Sequence, residues 1–366
     1  MKKIIGILTG LASLSIAPAW AQSNVQVYGL IDIGMSTGKN SGDDQNVQQL
    51  KSGGMSTSFF GVKGSEIIDG NLKAEFALAG FLRGDTGESG RFSGDTMFSR
   101  DANVALSGNF GRIQLGRGNA PGTLPVFMFN PFGDSFTYSP LVLHSYVPSG
   151  ETFARRNWIA SDAADSGWSN EIVYTTPVFG GLKANLYYQP GEVAGDSSKR
   201  NIGINVLYAS GPLGLSAFYQ DAQVSNPLGG SALIDATGLL GTPVKYNTIN
   251  RQKAYFFGGS YDLNVLKLFT TYQISNDDTS SAASMKDKTF SIGFSAPAGA
   301  GKILFDYANT KRSGSLVGAD LKRDTASLGY DYSLSVRTDL YTVLMSDKIT
   351  NADRAQTFGV GIRHKF

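Results

Sequence analysis

The chain has no cysteine, only two histidines and, beyond its first twenty or so residues, no long apolar run. Each absence removes a class of explanation. Without cysteine there are no disulfides to stabilise an exported fold and no thiolate nucleophile. The two imidazoles, His144 and His364, have neither the companions of a Ser-His-Asp arrangement nor metal-ligand spacing. No cofactor is expected, and a hydrolytic barrel has little to build on. Gly116-Arg117-Gly118 is not followed by the strand-to-helix context of a phosphate loop. A stretch of about eighteen apolar residues, the minimum for a helical membrane span, does not occur after the N-terminal segment. An excess of one charge is also missing: 32 Lys+Arg stand against 30 Asp+Glu, a balance that argues against a nucleic-acid partner.

What is present is 45 Gly, 16 Tyr and 22 Phe among 366 residues, with a mildly negative mean hydropathy. That combination is odd for an ordinary core but natural for a barrel with an apolar exterior and a polar interior. The N-terminus reads as a secretory signal: basic Met1-Lys2-Lys3, an apolar run from Ile4 to Ile16, and a small-x-small site at Ala19-Trp20-Ala21. Residues 1–21 are thus predicted to be cleaved after Ala21 during export, leaving residues 22–366 as one barrel domain with 30 basic and 30 acidic residues once Lys2 and Lys3 are gone.

Segments of alternating apolar and polar residues fill most of the mature chain. Leu72, Ala74, Phe76 and Leu78 share one face, with Lys73, Glu75 and Arg83 on the other. Phe290, Ile292 and Phe294 oppose Ser291, Gly293 and Ser295; Phe358, Val360 and Ile362 oppose Thr357, Gly359, Gly361 and Arg363. Period-2 alternation is the mark of a strand between two environments. The segments number about sixteen, an even count within the bacterial barrel range. Brief Gly- or Pro-containing turns such as Gly211-Pro212 alternate with longer polar loops, as periplasmic turns alternate with extracellular loops. Alternation alone also fits a β-sandwich. Export, strand count and turn asymmetry favour an all-β, antiparallel, transmembrane barrel of sixteen strands.

One stretch, from Gly118 to Arg156, breaks the pattern. It carries Phe127, Phe129, Phe132, Phe136, Tyr138, Leu141 and Tyr146, too many large apolar groups to leave in water. Loops of this length are usually functional. We expect it to fold into the lumen, with Phe129 and Phe132 as its anchors. Inward-facing small residues (Thr357, Gly359, Gly361, Ser291, Gly293, Ser295) are read as favouring an open lumen.

The ordered segments Val25-Gln-Val-Tyr-Gly-Leu-Ile-Asp32, Gly61-Val-Lys-Gly64, Phe98-Ser-Arg-Asp-Ala-Asn-Val-Ala-Leu106 and Phe110-Gly-Arg-Ile-Gln-Leu-Gly-Arg117 resemble the Gram-negative general porins, specifically the β-proteobacterial trimeric type. Asn130-Pro-Phe-Gly133 stands where that family's constriction loop turns, and the chain ends in an aromatic residue, Phe366, like the family's assembly signal. The resemblance implies an outer-membrane homotrimer in contact with lipid, each subunit a water-filled channel for ions and small hydrophilic solutes, with basic wall residues facing an acidic loop. Carried over by position, the basic wall comprises Arg100 and Arg155 or Arg156; Lys63 joins it as a residue of the second strand's expected lumen face, and Asp134, the only carboxylate between Gly118 and Gly150, is taken as the acidic loop residue. The family often has Arg at Phe59 and an acidic residue at Ala79, so a less charged eyelet is expected. Arg100 shares strand parity with Phe98, Ala102, Val104 and Leu106; alternation puts it on the apolar face, the resemblance in the pore. Two alternatives remain: a substrate-specific channel with an aromatic-lined pore, and a plugged barrel with a structural or adhesive role.

Overall fold

The computed structural model describes residues 24–92, 94–146, 166–192, 194–195, 199–223, 236–237, 243–244, 249–279 and 281–366. The signal segment and the Arg155-Arg156 pair lie outside them. Sixteen strands follow one another: β1 (Asn24–Gly38), β2 in two segments (Val47–Ser52 and Phe59–Asp69), β3 (Leu72–Arg83), β4 (Asp101–Gly108), β5 (Gly111–Asn119), β6 (Gly167–Thr175), β7 (Leu182–Pro190) and β8 (Arg200–Ser210). The second half comprises β9 (Leu213–Ala222), β10 (Ile249–Asp262), β11 (Lys267–Thr279), β12 (Ser284–Ala298), β13 (Gly301–Ser313), β14 (Leu321–Ser333), β15 (Thr338–Ile349) and β16 (Ala355–Lys365).

Every strand pairs antiparallel with its sequence neighbours, and β16 pairs back onto β1, from Leu30 opposite Lys365 to Gly38 opposite Thr357. Closure leaves no strand edge unpaired, the condition for strands in a medium that offers no hydrogen bonds. Two-residue turns close one end, at Gly70-Asn71, Asn109-Phe110, Gly211-Pro212 and Gly299-Ala300. Gly70, Gly211 and Gly299 have φ of +52°, +53° and +60°, a left-handed conformation that costs glycine nothing. The opposite end carries the long connections, including residues 39–46, 84–100 and 120–166.

Register assigns the faces. Asp32 on β1 is opposite Arg363, Gly361 opposite Tyr341, Tyr341 opposite Asp331, and the same parity continues around the barrel as the inner face. Residues of the other parity form an apolar outer belt: Val104, Phe257, Leu328 and Leu344 are 57%, 64%, 51% and 52% exposed. The inner face is polar and largely buried, and residues 120–146 cover part of it, because sixteen strands enclose more space than wall side chains fill.

Three expectations change. The second strand gains an upper segment, Val47–Ser52, separated from the lower one by a fold of residues 53–58. The fourth strand begins at Asp101, not Phe98. The long loop is not structureless but holds two short helices, α1 (Thr123–Met128) and α2 (Pro140–Tyr146).

Candidate pore constriction

The loop between β5 and β6 is closed at its base, where Ala120 N and Thr123 Oγ1 donate to Ser166 O at 3.0 and 2.6 Å. Its turn is organised by Asn130. The Asn130 Oδ1 accepts from Phe132 N and Ser139 Oγ, both at 2.9 Å, while Nδ2 donates to Val126 O at 2.8 Å and Gly133 O at 2.9 Å. One amide side chain thus satisfies four backbone and hydroxyl groups, which is why Asn130-Pro-Phe-Gly133 forms a compact turn.

Two apolar clusters hold the loop to the inner wall. Val126, Phe129, Leu141 and Val142 pack with Phe218, Ala254 and Phe256 of β9 and β10. Phe132 and Tyr138 pack with Met55, Leu304, Tyr341 and Val343. Polar contacts continue the seat: Asn205 Nδ2 donates to Pro121 O at 2.8 Å, Ser327 Oγ to Tyr138 O at 2.7 Å, and Ser145 Oγ to Gln273 Oε1 at 2.9 Å. His144 sits fully inside, its ring nitrogens 2.8 Å from the hydroxyls of Thr310 and Thr325. Burial, with the Arg323 and Arg312 charges beside it, holds His144 well below the ordinary histidine range.

Two of the small inner residues expected to favour an open lumen, Gly359 and Gly293, instead lie against the loop. A Cβ on Gly359 would lie 1.9 Å from Tyr138 Oη, one on Gly203 2.2 Å from Pro121 Cγ, and one on Gly293 3.0 Å from Pro131 Cδ. Cβ atoms on Gly258 and Gly329 would meet Phe129 and Phe132, each at 3.0 Å. These glycines make room for the loop, not for water. Gly361 likewise lies under the Tyr341 hydroxyl, 2.2 Å from its built Cβ.

The fold of residues 53–58 clasps the loop tip. Fully buried Asp32 holds that fold: its Oδ2 accepts from Met55 N at 2.7 Å and Ser56 N at 2.8 Å, and its Oδ1 from Tyr341 Oη at 2.6 Å. In turn Ser135 Oγ donates to Gly54 O at 2.7 Å and Thr137 Oγ1 to Gly53 O at 3.0 Å. Asp134 accepts from Ser56 Oγ at 2.7 Å, and Arg363 Nη1 donates to the same hydroxyl at 3.0 Å. Burial, with the Asp32 charge adding to it, pushes the Tyr138 phenol up to about 12.

Further charged residues stand on and beside β2 to β5. Lys63, opposite inward-facing Gln26, is exposed, and its Nζ lies 4.8 Å from the Tyr28 ring centre. Arg100 precedes the regular part of β4, so strand parity does not bind it. Its guanidinium lies 3.6 Å from the Phe59 ring centre on the inner face and its Nε 3.3 Å from Asp101 Oδ2. Phe59, where the family often has Arg, serves as the stacking surface for the arginine next to it. Tyr28 faces the lumen in this group instead of joining the outer aromatic girdle. Arg112 Nε bonds Glu75 Oε2 at 2.7 Å. Asp134 and Phe132 thus meet residues 53–58, Phe129 packs on β9 and β10, and Arg100 stacks on Phe59 just after that fold, with Lys63 further along the same strand. Asp32 and residues 53–58 escaped the sequence reading, although a lone carboxylate in the apolar strand Val25–Met35 and the Gly53-Gly54 pair are visible signals. Among the described residues no group of three or more His, Asp or Glu side chains is placed to hold a metal ion.

The family model for Gram-negative porins matches residues 8–352. The chain belongs to the Gram-negative porin family. This porin is 32% identical over 349 residues to outer membrane porin protein 32 of Delftia acidovorans, covering 93% of this chain and 88% of that one. The anion-selective porin from Comamonas acidovorans has a similar structure, with a TM-score of 0.73, 26% identity, and coverage of 94% and 100% of the two chains. OmpF of Salmonella typhi shares the fold at 17% identity, with a TM-score of 0.62 and coverage of 93% and 97%. Family and barrel together make the protein an outer-membrane channel for passive diffusion of solutes, and the family's members are channels, not enzymes.

Proposed function

We propose that the porin is a homotrimer in which the 118–156 loop narrows each lumen, and that ions and small hydrophilic solutes cross between the loop and the β2–β5 wall with a preference for anions. One observation carries this reading: the loop is bonded to β14 and to residues 53–58, while Lys63 faces the lumen without a carboxylate partner among the described residues. Lys63, Arg100 and one of Arg155 and Arg156 form the basic side of the eyelet, and Asp134 the acidic side. Opposed charges across a narrow path orient dipolar solutes and bias ions. Asp134 shares the Ser56 hydroxyl with the Arg363 guanidinium, a nearby positive charge that offsets it. Phe129 and Phe132 act as anchors. The anion-selective relative and porins solved as trimers support the selectivity and the assembly. Residues 1–21 are proposed to be removed on export, which N-terminal sequencing of protein recovered from outer membranes tests. The decisive measurement is single-channel recording of refolded protein in planar bilayers under a salt gradient. Openings in groups of three with an anion-selective reversal potential are expected. A folded, heat-modifiable barrel without conductance refutes the channel reading in favour of a plugged, structural one.

A further inference from the structure

We propose that a cavity beside the loop is a binding subsite for small aromatic carboxylates, with Lys51 as its anion-binding group. The proposal deepens the channel reading and depends on it only for how solutes arrive. The cavity has a volume of about 240 Å³ and lies between the β1–β2 connection, the upper segment of β2 and the loop. Ligand sites for drug-sized molecules span about 300–1,000 Å³, so this one suits a smaller solute.

Its two sides differ in chemistry. The loop supplies Phe136 and Leu143; the barrel supplies Lys39, Gln49 and Lys51. Lys51 is opposite Gly34 and Gln49 opposite Ser36, so both face inward, and Gly34 has no side chain to cover the Lys51 stem. Lys39 Nζ is engaged, donating to the main-chain oxygens of Asp43 and Asp44 at 2.9 and 3.3 Å. Lys51 makes no hydrogen bond or ion pair among the described residues. The Asp32 charge acts on it, but neither Asp32 nor Asp43 forms a direct ion pair with it. Asp43 accepts from Asn40 N at 3.0 Å, and Asp32 is occupied by Met55, Ser56 and Tyr341. A cation without a direct ion-pair partner among the described residues, facing a ring and a leucine across a small, partly open space, matches a carboxylate joined to an apolar body. A bare inorganic anion would satisfy Lys51 and leave the Phe136 side unfilled.

The test is calorimetric titration of benzoate into the refolded, detergent-solubilised protein, with acetate as the probe lacking a ring. Saturable binding of benzoate is expected, tighter than that of acetate. Lys51→Met and Lys51→Gln should each weaken it by about tenfold, Lys51→Arg should restore it, and Phe136→Ala should weaken benzoate more than acetate. Equal affinity in the neutral variants, or equal binding of the two probes, overturns the proposal. Bilayer recordings of the same preparations separate the two readings: Lys51-dependent binding without conductance would refute the channel and leave the subsite standing.

Discussion

Asp32 shows how one residue fixes the geometry of a pore lining. A carboxylate buried without compensation is costly, and here three donors compensate it. Asp32→Ala leaves the Met55 and Ser56 amides unpaired and is expected to destabilise the barrel by about 3 kcal/mol, seen as a lower heat-modification temperature. In Asp32→Asn the side-chain oxygen can still accept both amides while its nitrogen meets the Tyr341 hydroxyl, so a loss of only about 1 kcal/mol is expected. Equal losses in the two variants would show that the amides are not what Asp32 serves. His144 makes a second residue-scale prediction. Its folded pKa lies below the unfolded value of about 6.5, so its contribution is complete above that pH and is lost as pH falls, by up to about 1.4 kcal/mol per unit. Acidification from neutrality should therefore loosen loop docking, read as increased channel noise, and His144→Gln should abolish that pH dependence.

At the scale of elements, the strands were legible because a barrel wall imposes period 2 on nearly every residue. The alternating segments read from the sequence fall within observed strands, as at Leu72–Arg83 and in Ser284–Ala298. Misreadings cluster where the wall departs from regular pairing. The Gly53-Gly54 break hid Val47–Ser52, and the irregular entry to β4 made parity a poor guide for Arg100. The inner glycines were visible, but their occupants belong to a loop far away in sequence. Gly359→Ala forces Tyr138, itself buried, to move and should cost about 1–3 kcal/mol, with altered conductance; pairing it with Tyr138→Phe should recover part of the loss. An additive double mutant would show that the contact is not shared. The buried Arg323–Asp347 pair, 3.0 Å apart, holds β14 to β15 behind His144. Replacing Asp347 with Ala should cost about 3–5 kcal/mol because it removes the carboxylate that Arg323 pairs with, while changing both residues to apolar ones should cost less.

At the scale of the whole molecule, closure of sixteen strands makes the outer belt face lipid and leaves an interior that only the loop can partly fill. If the assembly is trimeric, unheated electrophoresis should show one band near three times the monomer mass that collapses on boiling; a monomer-sized unheated band would overturn it. The sequence by itself determined the strand pattern, the strand count, the polar inner face and the place of the long loop, because alternation and turn residues are local properties of the chain. Only the tertiary structure decided which glycines the loop covers, that Asp32 clasps residues 53–58, and that Asp134 meets Ser56 while Arg100 stacks on Phe59. Those relations join residues tens to hundreds of positions apart, and no local pattern encodes which side chains meet when a barrel closes around its own loop.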